Sequence, residues 1–110
     1  MTDVDLTLPA LNLDMARRAL SAGERARAES ICNGLLEATP NDPAVLGLLG
    51  EVLLYRDGYA DHAVKILSEA TRQWPEDPVI NARLSEAFLR TGYIAAARKF
   101  AAQSISFEPG

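Results

Sequence analysis

The 110-residue chain has one cysteine, one histidine and one tryptophan, and little aromatic content of any kind. A lone Cys32 closes no internal disulfide, which fits a reducing compartment and points to a cytoplasmic location. The lone His62 has only Asp61 as an adjacent acid, and neighbouring helical residues do not face each other, so a nucleophile–base–orienter set is missing. No Cys/His cluster has metal-ligand spacing. Gly47 and Gly50 fall inside a helical pattern and form no phosphate-cradling loop. Positive charge is in deficit: the formal net charge is −4, which argues against nucleic acid and against an anionic membrane as partners. No apolar run approaches the roughly 18 residues of a membrane span. The opening "MTDVDLTLPALNLD" is acidic, unlike the basic start of a signal peptide. These absences predict a non-enzyme with no catalytic residue, no cofactor and no metal.

What the chain does have is repetition. "RDGYADHA" from Arg56 returns as "RTGYIAAA" from Arg90. Glycine recurs at 23, 58 and 92, alanine at 28, 63 and 97, and proline at 40, 75 and 109. A second proline series, Pro9, Pro43 and Pro78, opens each unit, and every gap is 34 or 35 residues. A fixed period of this size marks a helical solenoid, in which one helical pair cannot bury its apolar face alone but a stack can.

Each unit reads as two helices: 10–22, 43–56 and 78–91 first, then 24–38, 59–73 and 93–107. Leu46, Leu49, Leu53 and Leu54 form one amphipathic face, as do Val64, Leu67 and Ala70. Asp42-Pro43 and Asp77-Pro78 place a capping carboxylate before a proline at the first helical position. Leu8 precedes Pro9 without a capping side chain, so the first helix is expected to start later, at Asn12. Gly23, Gly58 and Gly92 stand where the chain must reverse. Aligning the middle and last units leaves one extra residue near Tyr55, which predicts a lengthened turn there. Cys32 falls on a core-facing position. "GERARAE" reads as a solvated face with Arg25 and Glu29 at pairing distance along the helix. Trp74 reads as a cover for the end of the second unit.

The pattern resembles the tetratricopeptide repeat, W-x2-L-G-x2-Y, then A-x3-F, then P. The middle unit gives Leu46-x2-Leu49-Gly50-x2-Leu53, Ala63-x3-Leu67 and Pro75. The last gives Asn81-x2-Leu84-Ser85-x2-Phe88, Ala97-x3-Ala101 and Pro109; the first, weaker, gives Asn12-x2-Met15-Ala16-x2-Ala19, Ala28-x3-Cys32 and Pro40. Gly50, Ser85 and Ala16 then fill the slot where two helices of a unit approach most closely. The resemblance implies an all-α, right-handed α-solenoid of three helix-turn-helix hairpins: tail 1–8, repeat one 9–42, repeat two 43–77 and repeat three 78–110.

In that family the first helices line a concave groove that takes a peptide. Carried over, the groove holds Leu13, Asp14 and Arg17, then Gly47, Leu48 and Glu51, then Arg83, Glu86 and Arg90. The chaperone-binding subset uses five polar positions for a peptide's terminal carboxylate. Here they hold Leu13, Arg17, Leu48, Val79 and Arg83, and only Arg83 fits that pattern. The resemblance thus implies a protein-binding module for a protein or peptide partner. The alternatives are a self-assembly element or the repeat domain of a larger, transferase-type protein. Ile94, Phe100, Ile105 and Phe107 cannot all face one side of the last helix, and the sequence ends near Pro109 without a further covering helix. They are therefore the candidate surface for a homodimer or for a continuation of the chain.

Overall fold

The computed structural model describes residues 11–107, so Pro9, Pro109 and the 1–8 tail lie outside the described residues. Within them are six α-helices and no strand: α1 Leu13–Ser21, α2 Arg25–Ala38, α3 Pro43–Leu54, α4 Ala60–Gln73, α5 Pro78–Arg90 and α6 Ile94–Phe107. Helix starts follow the capping chemistry. Asn12 accepts from the Met15 amide at 2.9 Å, and α1 begins there, after the proline. Asp42 accepts from the amides of Ala44 and Val45, and Asp77 from those of Val79 and Ile80, with proline at the first helical position of both α3 and α5.

Two of the reversals are built alike. Glu24 N–H reaches Ala19 O and Gly23 N–H reaches Leu20 O, a Schellman closure that Tyr93 to Phe88 and Gly92 to Leu89 repeat. Both glycines sit at positive φ, 81° and 90°. The α3–α4 connection runs over 55–59, longer than 22–24 and 91–93. There Tyr55, Arg56 and Tyr59 each bond three residues back instead. The extra residue ends α3 at Leu54, two positions before the expected end, and converts the closure into a wider turn.

Helix α3 has one charged residue, Glu51, and is apolar all round, which dictates a central place. It packs on α1, α2, α4 and α5, and the remaining helices pack on their neighbours in sequence. Val52, Leu53, Leu67, Ile80 and Leu84 are fully buried around it. Gly50 lies directly under the Leu67 side chain, so the small-residue slot is occupied by the residue one turn after Ala63. In α5 the slot residue Ser85 donates its hydroxyl to Ala97 O at 2.6 Å. Glu29 departs from the sequence reading. It pairs with Arg56 of the α3–α4 turn rather than with Arg25, because that turn brings a guanidinium to the half-buried side of α2.

Candidate functional site

The N-terminal half of α3 reads Pro-Ala-Val-Leu-Gly, and its small residues leave the space between α1 and α5 unfilled. The result is a cleft of about 570 Å³. One wall is Arg17, Leu20 and Ser21 of α1; the floor is Pro43, Ala44, Gly47, Leu48 and Glu51 of α3; the far wall is Asp77, Val79 and Arg83. Val79 is half exposed at the lip, and a side chain on Gly47 would come within ordinary contact distance of it, which shows how close α3 and α5 run here.

Charge is distributed unevenly along this cleft. Arg83 Nε donates to Glu51 Oε1 at 3.2 Å and Arg83 Nη1 lies 3.9 Å from Glu86. Glu86 in turn lies 3.8 Å from Arg90, whose Nη1 donates to Leu54 O at 3.3 Å and whose guanidinium stands over the Tyr55 ring. Glu51–Arg83–Glu86–Arg90 thus runs as an alternating chain from α3 along α5. These groups are partly solvated, so the chain fixes geometry more than it adds stability. Arg17, across the cleft, has no carboxylate partner among the described residues. Among these residues its guanidinium is uncommitted, beside a floor that is apolar except for Glu51.

Of the residues named from sequence, the cleft gathers Arg17, Gly47, Leu48, Glu51 and Arg83. Leu48 is buried and forms floor rather than wall. Glu86 and Arg90 extend the ion chain beyond the cleft. Leu13 is half-buried against the core, and Asp14 turns to a second cleft, pairing with Arg18 at 2.6 Å. The Cys32 thiol is fully buried and pushed up to about 11, first by burial and then by the Glu29 carboxylate. His62 is exposed beside the Tyr59 ring. Among the described residues no three His, Cys, Asp or Glu side chains group so as to hold a metal ion, and no helix is long and apolar enough to cross a membrane.

The other predicted surface divides in two. Phe100 turns inward and stacks on Phe88 with ring centroids 5.7 Å apart, and Phe107 is half-buried. Ile94 and Ile105 face outward, Ile105 being 73% exposed.

Three residues make contacts whose partners the sequence pattern did not give. Trp74 Nε1 donates to Asn41 O at 2.8 Å, tying the end of α4 to the turn before α3. Ser104 donates to Pro78 O at 2.7 Å. Asn81, at the large-residue position of its unit, is fully buried and donates to Pro75 O and Asp77 O. Asp77-Pro78 and a tryptophan before a proline hint at the first and third, but their partners depend on which turns stack. No protein-family model matches the chain, and no curated protein matches it at a significant level.

Proposed function

We propose that the chain is a non-catalytic protein-binding module: a right-handed α-solenoid of three tetratricopeptide-like hairpins that holds a peptide segment in the cleft between α1, α3 and α5. The stack reading is supported by the pairing of each helix with its sequence neighbours and by the extra contacts of α3 with α1 and α5. It also accords with an elongated body of 56 × 31 × 22 Å, whose Cα radius of gyration of 15.1 Å exceeds the about 13 Å of a compact 100-residue domain.

The observation that carries the binding reading is the convergence of Arg17, Leu48, Glu51 and Arg83 on one cleft, with Arg17 lacking a carboxylate partner among the described residues. The apolar part of the floor, Ala44, Gly47 and Leu48, removes a side chain from water, and a guanidinium without a partner among the described residues selects a carboxylate nearby. The ligand that fits is a segment with one apolar anchor and an acidic residue on the α1 side. Arg83 is held by Glu51 and Glu86, so it orients the wall and contributes little net positive charge.

Peptides selected from a random displayed library on the immobilised protein test this. The expected selection is acidic-plus-apolar, with binding weakened by Arg17→Glu and by Val79→Glu and unchanged by Ile105→Glu. Peptides whose binding ignores both cleft substitutions would overturn the proposal.

A further inference from the structure

The repeat defines a row of charge across the first helices. Asn12, Leu46 and Asn81 occupy the same position in successive units, so Arg17, Glu51 and Glu86 also share one position. Along this row the sign changes from positive on α1 to negative on α3 and stays negative on α5. The two guanidiniums of α5 come from other positions: Arg83 lies one turn before Glu86, and Arg90 one turn after it.

The contacts decide which of these charges a ligand meets. Glu51 and Glu86 supply two carboxylates to the ion chain, Arg83 and Arg90 two guanidiniums, so the chain is neutral. Glu86 stands beyond the cleft, where Arg90 matches it; Glu51 stands inside the cleft beside Arg83. The Glu51 and Arg83 side chains are only 25% and 32% exposed, so a group that reaches this guanidinium also meets the carboxylate bound to it. The same wall carries Asp77, whose Oδ1 accepts from the amides of Val79 and Ile80. On the α1 side, Asp14 and Arg18 pair with each other at 2.6 Å and line the second cleft, so Arg17 is the charge that α1 presents here. A ligand carboxylate set against α5 therefore faces two acids and one guanidinium, a like-charge contact, whereas one set against α1 faces a cation.

We propose that Glu51 is a specificity-determining residue of the cleft. It takes up the charge of Arg83, so that a bound segment places its acidic residue on the α1 side and a second acid facing α5 is rejected. Arg83, although it matches one position of the carboxylate-gripping pattern, is thereby withheld from a peptide's terminal carboxylate. The proposal rests on the reading of this cleft as a peptide site and adds to it which residue enforces the charge pattern. Discrimination of this kind comes from a repulsive group as much as from an attractive one.

A library-selected peptide tests it, synthesised as a series in which each position in turn carries an added Glu or an added Lys. Dissociation constants are measured by fluorescence anisotropy on the full chain and on two variants. Glu51→Gln keeps an oxygen for Arg83 Nε and removes the charge; Arg83→Gln does the converse and leaves the Glu51 carboxylate unmatched. Circular dichroism checks that each keeps its helix content. On the wild-type chain an added Glu is expected to gain nothing at any position. In Glu51→Gln one position is expected to gain about tenfold from the added Glu, the scale of a hydrogen bond to a charged group. That gain should vanish when Arg83→Gln is combined with it. In Arg83→Gln alone the same position should favour Lys instead, so either variant is decisive if the other does not fold. Variants that show the wild-type preferences, or a wild-type chain that gains from a second Glu through Arg83, overturn the proposal. If those peptides still lose binding in Arg17→Glu and Val79→Glu, the cleft reading survives that failure. If the peptides ignore both cleft substitutions, the reading and the proposal fall together.

Discussion

Replacing Gly50 by alanine puts the packing of α3 against α4 under direct test. A methyl group there would stand 2.4, 2.6 and 2.7 Å from Leu67 Cδ2, Cγ and Cδ1. Leu67 is fully buried, and because Cγ is among the atoms struck, the whole side chain must move, not only its tip. Overpacking of this kind costs about 1–3 kcal/mol. Alanine in place of glycine inside a helix returns about 1 kcal/mol. The clash involves three atoms in a closed core, so the upper end applies and the net loss is about 2 kcal/mol. For a chain of this size that is a fall in melting temperature of roughly 8–16 °C. Gly34→Ala is the control. Its methyl would meet only Leu11 Cδ1, at 2.7 Å, and Leu11 is a half-exposed side chain whose tip can swing into water. That variant is expected to be at least as stable as the parent. Leu67→Ala alone should cost about 2–5 kcal/mol. In its presence Gly50→Ala should turn stabilising, a coupling of about 3 kcal/mol in a double-mutant cycle. Urea unfolding followed by circular dichroism reads the parent and all four variants. Equal effects of Gly50→Ala and Gly34→Ala, or simple additivity with Leu67→Ala, would refute the reasoning.

Cys32 is expected to resist thiol reagents at neutral pH until the chain unfolds, since it is fully buried and its thiol is held at about 11. Because that value exceeds the about 8.5 of an unfolded cysteine, the folded state holds this proton more tightly. The associated stability is complete below about pH 8.5 and is lost as pH rises through about 11, a slope absent in Cys32→Ala when unfolding is followed against pH. Trp74→Phe removes the donor to Asn41 O and should cost about 1 kcal/mol in urea titration, with little change in helix content. Gly92→Ala meets no neighbour within 4 Å, so its cost is purely the left-handed backbone at φ 90°, about 1–2 kcal/mol, read as a lower denaturation midpoint.

The sequence carried the helices because their punctuation is local. Asp-Pro caps, reversal glycines and alternating large and small residues each act within a turn or two of themselves. Even the widened turn after α3 was countable as one extra residue near Tyr55. What depended on partners in other units was less visible. Glu29 could be paired on paper only with Arg25, since nothing local reveals that Arg56 arrives from the α3–α4 turn. The groove positions were named from helix register, which places Arg18 one turn after Asp14 and Glu86 one turn after Arg83 but does not tell that Glu51 of a neighbouring helix occupies Arg83. That Arg17 has no carboxylate partner among the described residues, on which the binding proposal turns, is seen only in the assembled cleft. Likewise the four apolar residues of α6 looked alike in sequence, and packing on Phe88 is what separates Phe100 from Ile105.

The most direct measurement of the central claim is a residue-resolved map of a bound peptide. The backbone amide resonances of the full chain are recorded with and without a library-selected acidic-plus-apolar peptide. The account predicts shifts concentrated at Arg17, Ala44, Gly47, Leu48 and Val79, the walls and floor of one cleft, and their loss in Arg17→Glu. Shifts concentrated on α2, α4 or α6, with those cleft amides unmoved, would contradict it.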